Sequence, residues 1–65
     1  MTKNNTEIQL NCYLIEAMVK QLVVNGVTDY KVLVKQVDSI FAPESEEEME
    51  AYSEAIIYAK QSLLN

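Results

Sequence analysis

Hydrophobic and polar positions alternate along this chain with the period of helices, and three stretches stand apart. Thr6 lies three residues before Gln9, the spacing of a capping box, in which side chains satisfy the unpaired N–H groups of a first helical turn. That predicts a first helix over 7–25, ended by Asn25-Gly26, because glycine after the last turn accepts the left-handed conformation that closes a helix. Residues 1–5 are polar and are expected to fray. Thr28 is the expected cap of a second helix over 28–42, with Asp29 in its first turn and Val27 packing on Val32 as a hydrophobic staple. Here Tyr30, Leu33, Val34, Val37, Ile40 and Phe41 recur on one narrow face at 100° per residue. A strand is the rival reading of YKVLVKQV, but strict alternation fails at Val32-Leu33-Val34 and no hairpin partner is visible. Pro43 ends this helix, since the residue before a proline is pushed out of the helical region. A third helix over 45–64 starts between 42 and 46, with Ser45 and Glu48 at a second capping-box spacing and Met49, Tyr52, Ile56, Ala59 and Leu63 in 3-4-3-4 steps. The expected fold is all-α, one small domain over 1–65, with consecutive helices antiparallel across short turns.

The first helix departs from the ordinary pattern, because its apolar side chains form two stripes instead of one. Ile8, Cys12, Ile15, Val19, Leu22 and Val23 make the first. Leu10, Tyr13, Leu14, Ala17, Met18 and Val24 make the second, and polar residues such as Glu16, Lys20, Asn11 and Gln21 separate the two. A helix apolar on both sides wants neighbours on both sides. Either helices 2 and 3 sandwich it, or one stripe belongs to the core and the other to a homodimer or partner interface. Size favours the interface. A chain of 65 residues and 7.4 kDa buries only about 60% of its unfolded surface, and neither a disulfide nor a Cys/His zinc site can assist, with one cysteine and no histidine. On the third helix, Tyr58 with Ala51, Ala55 and Ser62 forms a flank of small residues that a further helix could approach closely, a second interface candidate.

Composition then removes whole classes of function. Ten acidic residues face five lysines with no arginine, for a formal charge of −5. Arginine is the residue of choice for bidentate contacts to phosphate and guanine, so its absence argues against nucleic acid as a direct ligand, and the acidity argues against membrane surfaces. Lys31 and Lys35 after the tight Asn-Gly-Val-Thr turn invite comparison with a helix-turn-helix, but two lysines make too small a basic footprint. The start MTKNNTEIQ lacks a signal peptide's basic and apolar regions and no stretch approaches ~18 apolar residues, so the expected compartment is the cytoplasm, with Cys12 reduced.

Candidate chemistry is sparse. Glu44, Glu46, Glu47, Glu48 and Glu50 place five carboxylates at the start of the third helix. They are read first as a solvated face complementing the helix dipole, and alternatively as an anionic patch for a basic protein surface. Consecutive glutamates splay around a helix, and no EF-hand-like spacing exists, so neither metal binding nor paired-carboxylate catalysis is expected. Cys12 sits inside an apolar stripe with no base in sight, and one glycine cannot build a P-loop, a GxGxxG turn or a nucleophile elbow. No enzyme and no cofactor are expected. The expected function is a small interaction module, homodimeric or bound to a larger protein that it regulates. The alternatives are an acidic decoy occupying the basic face of a DNA-binding protein, and a structural subunit of a helical assembly.

Overall fold

The computed structural model describes residues 3–64; of the expected frayed start, residues 1 and 2 lie outside the described part. Three helices follow one another: α1 (Asn5–Val24), α2 (Tyr30–Phe41) and α3 (Glu46–Leu64). The all-α, three-helix expectation holds, with boundaries shifted by local capping chemistry. Asn4, not Thr6, caps α1: its side chain accepts the Glu7 N–H at 2.9 Å, and asparagine outranks threonine in that role. Residues 3–5 are therefore held, not frayed. Asp29, one residue after Thr28, caps α2 by accepting the Lys31 N–H at 2.9 Å.

The turn between α1 and α2 is a Schellman closure. Gly26 takes φ 96°, its N–H donates to the Val23 carbonyl, and the Val27 N–H donates to Leu22. Val27 packs on the core from this position, while Val32 is largely exposed, so Val27 fastens the end of α1 instead of stapling α2. Ala42 closes α2 in the left-handed region at φ 45°, and Pro43 prevents continuation. Ser45 then caps α3 by accepting the Glu48 N–H at 3.1 Å.

The core is Ile15 and Val19 of α1, Leu33 and Val37 of α2, and Tyr52, Ala55, Ile56 and Ala59 of α3. Lys3 reaches Glu48, Asn11 reaches Tyr52 and Cys12 reaches Ala51, so α1 and α3 run side by side in the same direction, with α2 returning against both. Phe41 packs edge-on against Tyr52 with ring centroids 5.9 Å apart. This sets the end of α2 level with the first third of α1. Being short, α2 leaves Met49, below its end, largely exposed; Leu63 on the last turn of α3 is also open. Ile40, on the last turn of α2, is exposed as well, although it lies near the line of Leu33 and Val37. The seam on α3 is therefore Glu48, Tyr52, Ala55, Ile56 and Ala59, rotated from the expected one.

Candidate functional site: the outer face of α1

The first stripe of α1 is the one that faces the core: Ile15 and Val19 are fully buried and Ile8, Cys12, Leu22 and Val23 pack around them. About 180° away on the same helix, the second stripe is uncovered. Leu10 is 57% exposed, Tyr13 69%, Leu14 59% and Val24 68%, with Ala17 exposed among them. Met18 is the exception, since it lies at the stripe's edge and packs partly on the core. A helix sandwiched on both sides is thus not what the chain builds, because α2 and α3 both dock on the inner side.

Other exposed apolar side chains are dispersed. On α3, Ile57, Tyr58 and Leu63 point in different directions around the axis, and scattered single residues of this kind are normal on a protein surface. The flank of small residues beside Tyr58 is taken up within the chain. Ala55 is only 6% exposed, Ala51 packs against the core, and the Cys12 thiol lies 3.7 Å from the Ala51 carbonyl. The helix that approaches closely there is α1 itself. Tyr58 and Ser62 of that group remain exposed. A shallow, open depression on α2 is lined by Tyr30, Lys31, Val32, Val34 and Lys35, all from one helix, and encloses nothing.

The acidic run divides in two. Glu46, Glu47 and Glu50 are exposed and fit the solvated start of α3, but Glu48 is 1% exposed and does not belong to any surface patch. Its Oε1 accepts the Glu44 N–H at 2.9 Å, and its Oε2 accepts the Tyr52 hydroxyl at 2.6 Å and the Lys3 ammonium at 3.0 Å. Asn11 completes the network by donating to the Tyr52 oxygen at 2.9 Å, and Lys3 also pairs with Glu44 at 3.2 Å. Burial is the largest influence on the Glu48 carboxyl and pushes its pKa up. The bonds from Tyr52, Glu44 and Lys3 together outweigh burial, so the pKa settles below the usual carboxylate range. Glu44 is held low as well, chiefly by Lys3, and Lys3 is held high, chiefly by Glu48. Burial and the bond to Glu48 push the Tyr52 hydroxyl up. This network joins the starts of α1 and α3. Every lone pair it uses meets a donor, which makes it a structural clasp.

A periodicity reading cannot find Glu48, because it discards charged residues. The signal was present in the Ser45–Glu48 spacing, which marks Glu48 as a side chain that turns back on the helix start. Burial, followed by the nearby carboxylates of Glu16 and Glu54, pushes the Cys12 thiol up, away from the reactive thiolate. Among the described residues no group of carboxylates and thiols could hold a metal ion, and no helix is long and apolar enough to cross a membrane. Compared with protein-family models, curated proteins and solved structures, the chain shows no match to any of them.

Proposed function

We propose that this chain is a non-catalytic protein–protein interaction module of the cytoplasm that docks through the outer face of α1, on a second copy of itself or on a larger protein that it regulates. One observation carries the reading: Leu10, Tyr13, Leu14, Ala17 and Val24 stand uncovered in one contiguous stripe opposite the core. An aromatic side chain buries roughly 150–250 Å² when fully enclosed and the aliphatic ones less, so the exposed parts amount to on the order of 500 Å², within the ~300–600 Å² of the largest and often functional patch on a monomer. The whole surface supports this. About 4,200 Å² is expected for a compact monomer of this mass, and the chain exposes 4582 Å² over a shape 35 × 18 × 15 Å.

The charge-mimic reading draws on Glu46, Glu47 and Glu50, exposed together at one end. It is the weaker of the two, because the internal Glu48 and the Lys3-paired Glu44 remove two of the five charges from the candidate surface. Two variants separate them against a partner captured from the native host. Leu14→Lys should abolish capture while leaving the helical circular dichroism intact. The triple change Glu46→Gln, Glu47→Gln, Glu50→Gln should alter the association rate by less than about threefold at low and moderate salt. The opposite pattern, with Leu14→Lys harmless and the triple variant losing its partner steeply at low salt, would transfer the function to the acidic end.

A further inference from the structure

Resting on the reading of the outer face of α1 as a docking surface, we infer that its occupant is a second copy of this chain, paired antiparallel about a two-fold axis at Ala17. Leu10 and Val24 lie seven residues to either side of Ala17, so a dyad there sets Leu10 of each copy opposite Val24 of the other. Such a pairing is isologous, as the commonest dimers are. At the crossing point stands the smallest side chain of the stripe, which lets the two backbones approach, while Tyr13 and Leu14 pack on either side. The patch of on the order of 500 Å² with its polar edges approaches the ~800 Å² per partner of a standard stable interface.

Charge selects the orientation. Glu7, Glu46, Glu47 and Glu50 gather at the end of the molecule where α1 and α3 begin, where Lys3 is already paired with Glu44 and Glu48, whereas Lys20, Lys31 and Lys60, with Asp29 as the acid among them, lie toward the other end, at the finish of α1, the start of α2 and the last turns of α3. A parallel pairing would set the two acidic ends side by side. The antiparallel pairing sets each acidic end beside the lysines of the other copy. Along one edge of the stripe, Glu16 and Lys20 are one turn apart, and neither has an ion-pair partner within the chain among the described residues. In antiparallel helices like edges meet, so the dyad at Ala17 brings the two Glu16 together near the axis and sets Lys20 of each copy level with Leu14 of the other, flanking this Glu16 pair from both sides.

Disulfide trapping reads the register directly. In a Cys12→Ser background, Ala17→Cys should cross-link with itself under mild oxidation at least about tenfold more than Leu10→Cys does, while an equimolar mixture of Leu10→Cys and Val24→Cys should give the mixed disulfide. Sedimentation equilibrium of the wild-type chain at tens of micromolar should show twice the chain mass. Lys20→Glu should weaken the dimer by about threefold to tenfold, with adding Glu16→Lys restoring it. Efficient self-cross-linking of Leu10→Cys would mean a parallel pairing and overturn the inference, as would a wild-type monomer at these concentrations. If the chain is monomeric yet Leu14→Lys loses the captured host partner, self-pairing fails and the docking reading stands. If the chain is monomeric and Leu14→Lys changes nothing, both fail.

Discussion

Replacing Glu48 by glutamine tests the clasp with a change of one atom. The carboxylate faces donors at both oxygens: the Glu44 N–H at one, the Tyr52 hydroxyl and Lys3 ammonium at the other. Glutamine has a single acceptor oxygen, so in either orientation its NH₂ group points at a donor. The less costly orientation keeps the Tyr52 hydroxyl and the Lys3 ammonium on the oxygen, now a neutral acceptor, and turns the NH₂ group onto the Glu44 N–H, which loses that bond. Hydrogen bonds to charged groups contribute ~1.5–3 kcal/mol each, and a buried donor left without a partner costs a further ~1–3 kcal/mol. We expect a loss of about 2–4 kcal/mol, against a total that for 65 residues is only ~3–10 kcal/mol. Urea titration followed by circular dichroism at pH 7 measures it, with the exposed neighbour Glu47→Gln as control, expected to cost at most about 1 kcal/mol. The pH dependence supplies a second check. Because the folded pKa of Glu48 is depressed, its contribution is present above the unfolded value of about 4.3 and is lost as pH falls through the folded value. The gap between wild type and Glu48→Gln should therefore narrow below about pH 4. A loss under about 0.5 kcal/mol at pH 7, or a gap that persists unchanged at pH 2.5, would refute the clasp.

Ile15→Ala, Val37→Ala and Ile56→Ala each remove a fully enclosed core side chain and should each cost ~1.5–4 kcal/mol by urea titration; a negligible loss at any one would misplace its helix. Ala42→Gly relieves a left-handed backbone that costs an L-residue ~1–2 kcal/mol, less the greater freedom of glycine in the unfolded chain, so thermal denaturation should show a stability equal to or up to about 1 kcal/mol above wild type, and a clear loss would contradict the observed φ of 45°. The Cys12 thiol, raised by burial and then by Glu16 and Glu54, should react with iodoacetamide at pH 7.5 at least about tenfold more slowly than in urea-unfolded chain; equal rates would show an exposed, ordinary thiol.

What the amino-acid order settles by itself here is what depends on neighbours along the chain. Helical period, the Asn-Gly closure of α1, the stop at Pro43 and the Ser45–Glu48 cap are all interactions within a few residues, so the three helices and their turns are legible without a fold. Cap identity was already at the limit of this: Asn4 and Thr6, or Thr28 and Asp29, are rival acceptors within one turn, set apart only by a small difference in capping strength. Two stripes on α1 were likewise visible in the sequence. Which stripe faces inward was not, because both are apolar and only the docking of α2 and α3 on one side breaks the tie. The same holds for the small residues of α3, read as room for another helix and occupied by α1. Glu48 marks the boundary most clearly. Its sequence neighbours are exposed glutamates, and its burial depends on Lys3, Asn11 and Tyr52, partners separated from one another by up to 49 positions, which only the side-by-side packing of α1 and α3 brings to one carboxylate.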